Sequence, residues 1–210
     1  MLIGGAGNDY MDGGAGEDFL SGNAGTNTLL GRDGNDGLVG GDDKDTVYGG
    51  SGNDSISGND GADTLLGETG DDLIEAGGGN DYAAGQDGHD SLRGESGNDL
   101  LEGGNGNDTL EGSDGIDTLD GGAGSDTFFW QNGTESGGGA PTAANVDVVK
   151  MFEAGGNGVA GVDTLEFLGQ FGPGVAQLHT LGRAPTWRRP PPPRRPRPGA
   201  RPTPTTTPRA

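Results

Sequence analysis

The chain has 210 residues, of which 48 are glycine, none is cysteine and only 29% are hydrophobic. That composition excludes an ordinary globular core and any disulfide framework in its place. All 33 acidic residues precede Gly182, opposed there only by Arg32, Lys44, Arg93 and Lys150, so residues 1–182 carry −29 and residues 183–210 carry +8. Self-repulsion on this scale disfavours a compact state, and the glycines add to the entropy lost on ordering. The chain alone is expected to be disordered, and a cation must offset its charge if it folds.

In chain order, Met1-Leu2-Ile3-Gly4 runs straight into a repeat and has neither the charged nor the apolar region of an amino-terminal secretion signal. Beginning almost inside a repeat is what is expected of a fragment of a longer protein, or of a start codon assigned too late. No apolar run reaches the roughly 18 residues of a membrane helix.

From Gly4 to Phe129 a nine-residue phrase recurs fourteen times without insertion or deletion, as in Gly103-Gly104-Asn105-Gly106-Asn107-Asp108-Thr109-Leu110-Glu111. Position 1 is Gly except at Ala76, position 4 is Gly except at Asp43, and position 6 is Asp except at Asn27. Position 8 is apolar in every copy, from Met11 to Phe128. A glycine-rich linker would not hold four phases over this length. Glycines at 1 and 4, and often 2, permit positive φ and close backbone approach. Position 5 is Asn in six copies, a residue that tolerates the left-handed region. Positions 1–6 therefore read as a turn, and positions 7–9 as a three-residue strand with one inward side chain.

Such a unit cannot bury its own apolar residue, but a stack of them lines position 8 into one narrow core. Stacked turns repeat an Asp carboxylate and freed carbonyls from layer to layer. Hard oxygen ligands in this arrangement suit Ca²⁺, which accepts six to eight oxygens in flexible geometry, better than octahedral Mg²⁺. Zn²⁺ would want Cys or His, and only His89 and His179 are present.

The phrase Gly-Gly-x-Gly-x-Asp-x-apolar-x resembles the RTX (repeats-in-toxin) calcium-binding nonapeptide, over residues 4–129. The resemblance implies an all-β fold, a right-handed parallel β-roll with two repeats per turn. Its seven turns would be about 34 Å long. It also implies two columns of ligands, with Asp9, Asp45, Asp63, Asp81, Asp99 and Asp117 along one side, where Asn27 interrupts the series. Along the other stand Asp18, Asp36, Asp54, Asp72, Asp90, Asp108 and Asp126. Calcium would sit between adjacent turns, held by these carboxylates and turn carbonyls. Up to roughly twelve ions would fit, or about ten once the two gaps beside Asn27 are discounted. Asp43 is expected to strain or rewire repeat five, and Ala76 to be the mildest departure.

Residues 130–182 are expected to form a β cap. Ser125–Trp130 turns aromatic, and Val146–Phe152 and Val162–Phe167 read as strands of a capping hairpin. This stretch resembles, more loosely, the segment after the β-roll of serralysin-type proteases. Residues 183–210 hold ten of the twelve prolines and eight arginines, and read as a disordered, solvated tail rather than a ligand for acidic surfaces or SH3-like domains. RTX proteins carry a carboxy-terminal signal for type I secretion machinery, which this tail does not resemble.

No His-Glu-x-x-His occurs, no Gly-x-Gly-x-x-Gly opens a helix, and no EF-hand spacing is present. His89, at a variable turn position, and His179 read as bystanders. A repeated exposed array is also a poor acid–base dyad. The expectation is a non-enzymatic, calcium-binding module of a secreted bacterial protein that couples Ca²⁺ binding to folding, with no nucleic-acid partner. The rival readings are the carboxy-terminal part of a secreted protease, lipase or haemolysin, and a calcium-dependent surface adhesin.

Overall fold

The computed structural model describes residues 1–131, 148–150 and 164–168, with side chains as far as Phe129. Among these residues all regular structure is strand, and every pairing is parallel. One sheet holds β1 (Leu2–Ala6), β3 (Phe19–Ala24), β5 (Gly37–Asp42), β7 (Ser55–Asp60), β9 (Leu73–Gly78), β11 (Ser91–Ser96), β13 (Thr109–Asp114), β15 (Thr127–Gln131) and β17 (Thr164–Leu168), in that order. The other holds β2 (Tyr10–Ala15), β4 (Thr28–Asp33), β6 (Thr46–Ser51), β8 (Thr64–Thr69), β10 (Tyr82–Asp87), β12 (Leu100–Asn105), β14 (Thr118–Ala123) and β16 (Val148–Lys150). Consecutive strands alternate between sheets, so two nonapeptides complete one turn, and from β1 to β15 the paired residues lie eighteen places apart. The expected parallel β-roll of about seven turns is what forms.

Between the sheets lies one narrow core, to which each sheet contributes a file of side chains. All fourteen position-8 residues are buried in one cluster, from Met11 and Leu20 to Leu119 and Phe128, joined by Ala76 and flanked by a partly buried Leu2. Side chains alternate across a strand, so position 8 faces inward while 7 and 9 face out. Position 1 points inward as well, where a glycine leaves room: in β4, Leu29 and Gly31 are the buried pair.

Three local expectations change. The strand is six residues long, covering positions 7–9 and 1–3 of the next copy, and the turn shrinks to positions 4–6. Pairing runs through both halves, as in Thr28↔Thr46, Leu29↔Val47, Leu30↔Tyr48, Arg32↔Gly50 and Asp33↔Ser51, and skips only position 1. Positive φ falls at positions 2 and 4, as expected, but not at position 1; position 2 takes it even as Arg32 (85°) or Glu68 (76°). The position-5 asparagines do not use the left-handed region, because their side chains have another task described below.

The capping hairpin does not form. Val148–Lys150 pairs with β14 and Thr164–Leu168 pairs with β15, each parallel and on opposite sheets. Two strands that follow a parallel roll find open backbone groups on its last rung, and occupying those groups extends the solenoid by one more rung. The rest of the cap, the side chain of Trp130 and the tail 183–210 lie outside the described residues.

Candidate metal centre

Each three-residue turn ends on position 6, and parallel stacking superposes these residues at intervals of eighteen. The predicted two columns are therefore present. In each, the position-6 carboxylate folds toward the preceding turn. Its Oδ1 accepts the backbone N–H of the residue eighteen places before: Asp18 N–H donates to Asp36 (2.8 Å), Asp36 to Asp54 (2.7 Å), Asp54 to Asp72 (2.8 Å), Asp72 to Asp90 (2.8 Å) and Asp90 to Asp108 (2.9 Å). The other column runs alike through Asp45, Asp63, Asp81, Asp99 and Asp117. Asp126 closes its column by accepting from Asp108.

The second carboxylate oxygen is the informative one. At Asp9 and at every position 6 from Asp36 to Asp108, Oδ2 is buried and has no hydrogen-bond partner. A buried, unsatisfied acceptor costs about 1–3 kcal/mol, more when it carries charge. The position-6 residues from Asp36 to Asp126 are all less than 5% exposed.

Position 1 explains what these oxygens face. A Cβ on Gly31 would overlap both Oδ2 of Asp36 and the carbonyl oxygen of Gly49, one turn on. The same two kinds of oxygen converge at Gly40 (Asp45 Oδ2 and Gly58 O), Gly58 (Asp63 Oδ2 and Ala76 O), Gly94 (Asp99 Oδ2 and Gly112 O) and Gly103 (Asp108 Oδ2 and Gly121 O). Glycine at position 1 is thus required by close approach rather than by backbone conformation. Each gap between turns is lined by a carboxylate oxygen from one rung and a carbonyl oxygen from the next. Two electron-rich atoms turned toward each other without a proton between them fit a hard cation. Among the described residues no three His, Cys, Asp or Glu side chains come together. Any ion here therefore depends on main-chain carbonyls as well as carboxylates, in keeping with the turn carbonyls expected from the repeat.

Burial raises the affinity of these carboxylates for protons. It pushes Asp54 and Asp63 up to about 6 and Asp72, Asp99 and Asp108 up to about 7, against the opposing backbone hydrogen bond each accepts. Repulsion from the carboxylates one rung away adds to the rise in these five, and Asp45, Asp81, Asp90 and Asp117 move in the same direction, chiefly through burial. A divalent ion acts oppositely, stabilising the ionised form.

The exceptional positions are resolved individually. Asp18, on the first rung of its column, keeps 19% of its side chain exposed and lies 3.7 Å from the terminal amine of Met1. Asp43 takes a positive φ of 71° and accepts the N–H of Gly25 through Oδ2 (3.2 Å), while β6 keeps its register. It strains repeat five without rewiring it. Asn27 holds its place in the ladder, bonding Asp9 N–H through Oδ1 (3.0 Å), but its Nδ2 donates to the carbonyl of Gly25 (2.7 Å).

A second ladder was missed by sequence reasoning. Position-5 side chains accept backbone N–H groups of the following turn: Asn35 from Asn53 (2.8 Å), Asn53 from Asp71 (3.0 Å), Asp71 from His89 (2.8 Å), His89 Nδ1 from Asn107 (2.8 Å) and Asn107 from Ser125 (2.9 Å). The available signal was that Asn, Asp and His share a short-reach acceptor. His89 is thus a rung of this outer ladder.

Comparison with known proteins agrees with the geometry. The family model for the RTX calcium-binding nonapeptide repeat, four copies long, matches residues 3–38, 21–56, 39–74, 57–92, 66–101, 75–110 and 102–129. No curated protein is significantly similar to the chain.

Proposed function

The chain belongs to the RTX calcium-binding nonapeptide-repeat family, and from that premise we propose that its calcium binding is the step that folds it. These repeats bind Ca²⁺; the coupling of binding to folding is our reading. It is carried by one observation, the files of buried position-6 Oδ2 atoms that have no internal partner. Stacking buries the position-8 side chains, but it also turns carboxylate and carbonyl oxygens toward each other, a cost that a cation between them removes.

In this reading the ligand residues are Asp9, Asp18, Asp36, Asp45, Asp54, Asp63, Asp72, Asp81, Asp90, Asp99, Asp108, Asp117 and Asp126, together with carbonyls of the facing turns. The bound ion supplies positive charge between rungs. The chain supplies ionised Oδ2, places it through the Oδ1–backbone hydrogen bond, and excludes water with the neighbouring rungs. About ten to twelve ions, near +20 to +24, would oppose the −29 of residues 1–182.

Extracellular calcium modules bind at about 10⁻⁴–10⁻³ M. The module would stay unfolded in a calcium-poor cytosol and fold after export, which suits a secreted bacterial protein handled unfolded by a type I secretion machinery. We assign it binding and folding rather than a catalytic step. Circular dichroism of the chain in chelator and in millimolar Ca²⁺ tests the coupling. The expected result is a coil-like spectrum that converts to β structure cooperatively; an identical β spectrum in both would sink the proposal.

A further inference from the structure

Resting on the calcium reading above, we propose that the side-chain amide of Asn27 is a built-in substitute for one calcium ion, so that the cradle between its rung and the next needs no metal. A Cβ on Gly22 would meet two atoms, the carbonyl oxygen of Gly40 and Nδ2 of Asn27. In the neighbouring gaps the corresponding pair is a glycine carbonyl and a carboxylate Oδ2, as with Gly49 and Asp36 around Gly31. Nδ2 thus stands where the unsatisfied oxygen stands elsewhere, in the same cradle.

The orientation of the amide follows from its partners. Oδ1 faces a donor, the backbone N–H of Asp9 at 3.0 Å, and Nδ2 faces an acceptor, the carbonyl of Gly25 at 2.7 Å. Reversing it would set nitrogen against N–H and oxygen against carbonyl, losing both bonds. An amide hydrogen carries partial positive charge, so it supplies at this rung, by covalent attachment, what a cation supplies at the others. Asn27 is fully buried, and neither side-chain atom is left unsatisfied.

The cradles also correct the count. Oδ2 of Asp9 faces Gly22 O, whereas the amide of Asn27 faces Gly40 O. Each gap draws its carboxylate oxygen from the earlier rung alone. The substitution therefore removes one cradle, between repeats three and five, and leaves the cradle of Asp9 in place.

Two variants of the full chain test this, by counting bound ions at saturating Ca²⁺ with native mass spectrometry and equilibrium dialysis, and by recording melting temperatures. Asn27→Asp is expected to bind one ion more than the wild type. Asp63→Asn, which copies the Asn27 arrangement at a carboxylate rung, is expected to bind one ion fewer and to melt above Asp63→Ala. An unchanged count in Asn27→Asp, or Asp63→Asn melting no higher than Asp63→Ala, overturns the inference while leaving the calcium reading intact. If Asn27→Asp does not fold, the Asp63 pair decides alone. A wild type that binds no calcium overturns the parent reading and this one with it.

Discussion

At the scale of the residue, position 1 is where composition and chemistry meet. Its glycine serves a cradle, since a methyl there would occupy the space between Oδ2 and a carbonyl. Gly49→Ala would press a Cβ against Asp54 Oδ2 and against Gly67 O, so a calcium titration should show one site weakened, with a lower melting temperature at fixed calcium. Ala76, the natural exception, already carries that methyl beside the Asp81 rung and is fully buried. Ala76→Gly is expected to tighten binding; an unchanged isotherm in both variants would remove position 1 from the site.

The same carboxylates fix the pH response. Their folded values are raised, to about 6 at Asp54 and Asp63 and about 7 at Asp72, Asp99 and Asp108, above an ordinary value near 3.8. A raised carboxylate makes the folded state bind more protons than the unfolded state between those values. The stability of the calcium-free roll therefore falls as pH rises from about 4 to 7, and is recovered on acidification. In chelator, β structure by circular dichroism should increase between pH 7 and pH 4. No gain on acidification would show that the burial and mutual repulsion of the ionised carboxylates is not what holds the metal-free chain open.

At the scale of the element, the nonapeptide is a six-residue strand and a three-residue turn, and its two weak points differ in kind. The inward side chain is one. Leu65 pairs with Val47 and Ala83 on adjacent strands of its sheet and is fully buried. Leu65→Ala should cost about 2–5 kcal/mol in saturating calcium, because a core one side chain deep on each sheet leaves little to close the cavity. The other is the left-handed residue at position 2. Glu68 sits there at φ 76°, and Glu68→Gly should raise stability in a denaturant titration by about 0.5–1 kcal/mol, relieved strain outweighing the added chain entropy. The Arg93 pairs with Glu75 and Glu111 (3.4 and 3.3 Å) join three rungs of one sheet at the surface and are expected to contribute only tenths of a kcal/mol.

At the scale of the molecule, a solenoid is held by nearest-neighbour contacts, so stability varies along its length. The first rungs expose Ile3 (59%), Tyr10 (68%) and Phe19 (44%), and β1 and β2 each pair on one side only. Hydrogen exchange in calcium should therefore be faster over residues 10–15 than over 64–87, whose strands are paired on both sides. Uniform protection would instead mean that the roll opens only as a whole. The excess of negative charge acts on every rung together, which is why a divalent ion is expected to fold the roll cooperatively.

The chain order of residues by itself determined the repeat, its phase and the inward position 8, all of which follow from periodicity, because strict nine-residue spacing survives stacking unchanged. The two files of position-6 residues were implied by the resemblance to the RTX nonapeptide. Only the tertiary structure decided that position 1 is glycine for a cradle, that position-5 asparagines form a ladder, that Val148–Lys150 and Thr164–Leu168 extend opposite sheets, and that the amide nitrogen of Asn27 stands where a carboxylate Oδ2 stands at other rungs. These are relations between residues about eighteen or more places apart. They depend on which carbonyl faces which side chain across a gap, and that is fixed by the register of one turn upon the next.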